Sequence, residues 1–197
     1  YMAGWEWEAR LASIDKETYP GSGHHFEKGF SQLSQPNINS ECGNVWGYDG
    51  STGDVDWSWD YHRMINTFRK YPKVAGWLYT EHHDVINEWN GYWRFDRSPK
   101  YSGLSDLAKG MTDKDFHSPI YLSSGNDISA TVKPGEIIKI PLFISDMAGK
   151  SIKDDYLILE TIIYGMDNAG HEIVLEKRNR KIVHFPFINS SLSPEII

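Results

Sequence analysis

The chain has 197 residues and a formal net charge of −7, a length that fits one domain or two small ones. The acidic balance argues against a nucleic-acid partner, since such proteins gather Lys and Arg on one face, and no apolar run of about 18 residues is long enough for a membrane span. The single cysteine, Cys42, excludes an intrachain disulfide framework and a Cys-based zinc cluster. Tyr1 opens the sequence with neither a methionine nor a signal-peptide pattern, which reads as a fragment or a processed product.

Residues 4–14 predict a short helix, with Trp7, Leu11 and Ile14 at i, i+4, i+7. Pro20 to Gly23 break it, and a weaker helix carrying Phe26, Phe30 and Leu33 follows before Pro36. Residues 37–40 read as a short strand ending at Glu41, and 43–53 as a loop rich in Gly, Asn and Asp. The clearest helix spans 57–70, where Trp57, Tyr61, Met64, Ile65 and Phe68 form one apolar stripe. Asp56 is its expected N-cap, Arg69 and Lys70 suit its C-terminal end, and Pro72 stops it. Residues 74–79 form the next strand, a long loop runs to about Lys100, and Ser102 caps a short helix with Leu104, Leu107 and Ala108, closed by Gly110. Strand, helix, strand, helix is the grammar of a parallel α/β barrel or sheet.

All eight tryptophans lie at or before Trp93, and beyond Ser118 the pattern turns to β-branched strands. Expected strands are 127–132, 136–144, 156–164, 172–177 and 180–185, with a further one at 120–122. Lys133-Pro134-Gly135 and Asp167-Asn168-Ala169-Gly170 supply turns. Pro141 cannot donate to a ladder, so its strand is an edge or bulged there. The reading is an α/β part over residues 1–114 and an antiparallel, Ig-like but incomplete β-sandwich over 115–197, about seven strands being expected of a whole one.

Gln35-Pro36 through Ser40-Glu41-Cys42-Gly43, then Val74 to Asp84, then Asn90-Gly91-Tyr92-Trp93-Arg94-Phe95-Asp96-Arg97, together resemble glycoside hydrolase family 2. That family includes β-galactosidases, β-glucuronidases and β-mannosidases, and its nucleophile motif is Ser-Glu-(Phe/Tyr)-Gly. Here Cys42 stands where the motif has an aromatic, and Asn44 where a second Gly is frequent. The resemblance covers roughly residues 35–110. It implies the last βα units of a TIM (β/α)8 barrel, followed by an Ig-like domain, in a protein that is secreted or periplasmic.

It also implies a retaining β-glycosidase, in which one carboxylate attacks the anomeric carbon and a second carboxyl shuttles the proton. Glu41 would be the nucleophile. The family carries its proton donor in an Asn-Glu pair well before the nucleophile, and no such pair precedes Glu41; Asn87-Glu88 lies after it and reads as coincidence. The isolated chain is therefore expected to be inactive and the rest of the parent barrel to be its partner, with self-association through open strand edges. Trp77 or Tyr79 could floor the sugar subsite, and Glu81 and His82 could bond sugar hydroxyls. Trp46 and Tyr48 are candidates to line the site from the residues alone, because glycine-rich loops seldom bury two rings. Neither a cofactor nor a metal is expected: neighbouring side chains in Glu81-His82-His83-Asp84 point apart on extended backbone. Asp96-Arg97 reads as a structural ion pair. A non-catalytic carbohydrate-binding or scaffold module is the alternative, motivated by Cys42, Asn44 and the aromatic density.

Overall fold

The computed structural model describes residues 7–12, 29, 35–43, 56–71, 74–86, 88–125, 129–147, 156–183 and 189–197. The chain divides into two compact units, one comprising Tyr1–Ser145 with Asn189–Ile197 and the other Asp146–Ile188.

In the first unit, residues 7–12 are helical (α1); Leu11 is buried, and the Trp7 ring meets Phe68 edge-on at 4.8 Å. The weaker helix expected around Phe26 to Leu33 lies outside the described residues. Strand β1 (Asn37–Cys42) and strand β2 (Val74–Tyr79) pair in parallel, joined through helix α2 (Ser58–Lys70). The stripe read from the sequence is the core of α2: Tyr61, Met64, Ile65 and Phe68 are buried. The helix is buried beyond that stripe as well. Asn66 and His62 reach the carbonyl of Gly125, and Arg69 donates to the carbonyls of Phe116 and Ser118 at 2.9 and 2.7 Å. Polar side chains on a buried helix face are tolerated when backbone acceptors receive them. Asp56 caps the helix one position earlier than a standard N-cap, its Oδ1 accepting from both the Ser58 amide and the Ser58 hydroxyl.

Helix α3 is a single turn (Leu104–Leu107) whose N-cap is Gly103 rather than Ser102. A 3-10 turn, Asp113–His117, follows behind a Thr112–Asp115 capping box. Strands β3 (Ile120–Ser123), β4 (Lys139–Asp146) and β7 (Asn189–Ile196) form a sheet in the order β3-β4-β7. The β4–β7 register slips between Ile140 and Leu142, which places the irregularity at Pro141. In the second unit, β5 (Tyr156–Met166) and β6 (Glu172–Val183) form an antiparallel hairpin. Asp167 Oδ1 accepts the Ala169 and His171 amides across its turn.

This architecture overturns the expectation of barrel units followed by an Ig-like sandwich. Extended chain dominates the described residues, regular helix is limited to short segments, and the strands fall into three small sheets. Strands β1 and β2 pair in parallel, whereas β4 with β7 and β5 with β6 pair antiparallel. A single strand–helix–strand crossover satisfies local barrel grammar without the further parallel neighbours that close a cylinder. The later strands make a three-stranded sheet and a separate hairpin that belong to different compact units. No helix is long and apolar enough to cross a membrane among the described residues.

Candidate functional site

The parallel register positions Glu41. Asn39 pairs with Trp77 and Cys42 with Tyr79, so β1 spends three steps where β2 spends two. The extra residue falls at Ser40-Glu41. A bulge of this kind breaks alternation and re-aims side chains, and Ser40 and Glu41 are accordingly both exposed while Cys42 is buried. The Thr80 amide donates to the Cys42 carbonyl at 2.7 Å, carrying the pairing one step past β2. Glu41 and Glu81 thus leave the same edge of one parallel pair.

Cys42 is a core residue. Its thiol donates to the Leu78 carbonyl at 3.3 Å, and burial pushes its pKa up to about 12, which makes it a poor nucleophile. Gly43 must lack a side chain: a Cβ there would lie 2.2 Å from Asn90 Nδ2 and 2.4 Å from the Thr80 carbonyl oxygen.

Beyond β2, residues 81–86 and 88–100 belong to a loop held from inside. Asp84 accepts Lys100 Nζ at 2.6 Å and the Gly91 amide at 3.0 Å through the same Oδ1, and Lys100 also donates to the Trp89 carbonyl. The Tyr92 amide donates to the Glu81 carbonyl, and the Asp84 amide to that of Trp93. Glu81 is the most perturbed acid of the loop. Desolvation first, then a hydrogen bond that the protonated Glu81 carboxyl donates to Glu88 and the nearby charges of Glu88, Asp84 and Glu41, push its pKa up to about 7. His82 beside it is exposed.

Trp77 and Tyr79 turn together toward α2. Trp77 lies 5.9 Å from the Phe68 ring, has the Arg69 guanidinium 5.1 Å from its centroid, and donates Nε1–H to Tyr61 Oη at 3.2 Å. Tyr79 sits 4.4 Å from Tyr61 and 4.6 Å from Tyr92, and donates its hydroxyl to the Asn90 carbonyl. Both rings are engaged with the core. Trp46 and Tyr48 lie outside the described residues. Asp96 and Arg97 do not pair: Asp96 accepts from the Ser98 amide and hydroxyl, which holds its carboxyl below the usual range, and Arg97 donates to the Phe95 carbonyl.

Three residues important to this edge were not singled out as site residues from the sequence. Glu88 was set aside with Asn87 as coincidence, yet its carboxyl bonds that of Glu81. Lys100 and Asn90 gave no local signal, because their roles depend on partners at Asp84 and Gly43. The described cavities lie elsewhere or at the margin. One of about 480 Å³ is lined by His62, Met111, Tyr121 and neighbours, and one of about 150 Å³ by Tyr92, Trp93, Lys100 and Asp113 among others. Among the described residues, no three His, Cys, Asp or Glu side chains converge as a metal ligand set. Compared with protein-family models, curated proteins and solved structures, the chain finds no match.

Proposed function

We propose that this chain is part of a retaining β-glycosidase in which Glu41 attacks the anomeric carbon of a β-glycoside. The observation that supports it most is the bulge at Ser40-Glu41, which turns one carboxylate outward at a parallel strand end beside a second acidic residue, Glu81, on the neighbouring strand's edge. The reading does not require a barrel. It needs a carboxylate aimed at a sugar and a proton-shuttling acid nearby. By the resemblance, that acid comes from the parent enzyme outside this sequence, so this chain alone hydrolyses no glycoside. In the parent enzyme, Glu41→Gln should abolish turnover of an aryl β-glycoside and leave the unfolding midpoint within about 0.5 kcal/mol of the wild type, as for a substitution at an exposed position. Unchanged turnover would refute the assignment.

A second reading has one observation in its favour. Trp93, Phe95 and Tyr101 are 37%, 57% and 73% exposed on and just after the same loop, and exposed rings are what a sugar-binding surface uses. A non-catalytic carbohydrate-binding module would bind short β-linked oligosaccharides as an isolated chain in calorimetry; the enzyme reading expects no heat from that titration.

A further inference from the structure

Strand β5 pairs with β6 along one side, and among the described residues no strand pairs with its other side. A hairpin of two strands is marginal in water and gains from a third neighbour, and an open edge offers its N–H and C=O groups to one. The two edges of this hairpin differ. Ile163 faces Glu176 and Tyr164 faces Val174, so Leu175 is the extra residue and the bulge lies in β6. Strand β6 also carries Lys177, Arg178, Arg180 and Lys181 in close succession. A bulge and a run of like charges are devices that stop a strand from adding another. Strand β5 has neither. It contains no proline, and its one charged residue, Glu160, already meets Lys177 Nζ at 2.6 Å.

The residue order of β5 also selects the neighbour. When a strand pairs antiparallel with a second copy of itself across a two-fold axis, the axis passes at one residue, which then faces its own counterpart. An axis at Glu160 would set two carboxylates opposite each other. An axis at Thr161 overlaps all 11 residues of the strand and sets Tyr156 against Met166, Ile158 against Tyr164, Leu159 against Ile163, and Thr161 against Thr161. No like charges face each other in this register, since Glu160 falls opposite Ile162. An aromatic opposite a β-branched side chain, and Thr opposite Thr, are favourable cross-strand pairs. Tyr156, Ile158, Tyr164 and Met166 are all exposed and share one face by alternation, so this register brings the exposed apolar side chains of both copies together.

We propose that the outer edge of β5 is a docking surface for a second copy of this chain. The two hairpins join across a two-fold axis at Thr161 into a four-stranded antiparallel sheet, in the order β6-β5-β5-β6. This does not rest on the glycosidase reading.

The test is sedimentation equilibrium of this chain over a range of concentrations, for the wild type, Thr161→Lys, Thr161→Glu and an equimolar mixture of the two variants. The wild type should dimerise. Each variant alone removes the Thr pair and sets like charges face to face, which should raise the dimer Kd about tenfold. In the mixture Lys faces Glu, and association should return to the wild-type strength. A wild-type Kd in either variant alone, or a mixture no tighter than its components, overturns the proposal. A wild-type chain that stays monomeric also overturns it and leaves the edge to a strand of a different protein. Amide hydrogen exchange of the unmutated chain gives a second reading, independent of how any variant folds. Protection of the β5 amides that point away from β6 should rise with protein concentration, and more than that of the β6 amides. No rise, or an equal rise in both strands, overturns the proposal.

Discussion

Lys100 Nζ lies 2.6 Å from Asp84 Oδ1, with the two side chains only 1% and 2% exposed. This buried pair spans the loop that follows β2, and Asp84 ties the same loop shut through the Gly91 amide. The rim that carries Glu81 is therefore fixed by a charge pair rather than by apolar packing.

Removing one partner should cost far more than the pair itself contributes. Lys100→Met strands a buried carboxylate and should lower unfolding stability by about 3–5 kcal/mol. The double variant Asp84→Asn with Lys100→Met should recover much of that loss. Urea denaturation of the two variants checks the prediction, and a Lys100→Met cost below about 1 kcal/mol would show the pair to be solvated.

Close backbone approach at the rim makes two glycines irreplaceable. A Cβ on Gly91 would sit 2.3 Å from the Asp84 amide nitrogen and the His83 carbonyl carbon, and one on Gly43 would strike Asn90 and Thr80. Each Gly→Ala change should destabilise by about 1–3 kcal/mol or more. At Gly76, where nothing lies within 4 Å of the added carbon, Ala should be nearly neutral in the same thermal melts.

Two groups should pull stability in opposite directions below neutrality. Glu81 has a raised pKa of about 7 against an ordinary 4.5. The folded state therefore holds a proton that the unfolded chain has released, and stability is lost as pH rises from 4.5 through 7. His62 is buried between Tyr121 and Gly125, which lowers its pKa. Its contribution is full above 6.5 and is lost as pH falls below that value. Glu81→Gln should remove the loss between pH 4.5 and 7 and leave the loss from His62 as pH falls below 6.5, in unfolding midpoints measured from pH 4 to 9.

The Tyr61 hydroxyl accepts the Trp77 indole N–H. Tyr61→Phe keeps the ring packing but leaves that donor without its acceptor, so a loss of about 1–3 kcal/mol is expected, read by Trp fluorescence during denaturation.

What the sequence revealed, and what it hid, follows from the range of each interaction. Helix α2 and the irregularity in strand β4 were legible because Tyr61, Met64, Ile65 and Phe68 repeat at helical spacing and Pro141 forbids a regular ladder, both properties of neighbouring residues. Strand β7 was missed because Asn189 to Ile196 is serine-rich and includes Pro194, and its strand character comes from pairing with β4. Strand β6 was read as two pieces, since the polar run at 178–180 resembles a turn until Arg178 and Asn179 are paired with Thr161 and Glu160. The barrel reading failed on closure, which one crossover cannot specify. At the site, Glu41 stood out through its motif. The pairing of Glu88 with Glu81, of Lys100 with Asp84, and of Asn90 with Gly43 required the fold.

The central claim is that Glu41 forms a bond to sugar, and covalent trapping tests it most directly. The parent enzyme would be incubated with aryl 2-deoxy-2-fluoro-β-glycosides of several sugar configurations, digested, and analysed by mass spectrometry. The peptide containing Glu41 should gain one fluoroglycosyl group, and that label should vanish in Glu41→Gln. Labelling of a peptide without Glu41, or turnover of these substrates with no labelled peptide at all, would contradict the account.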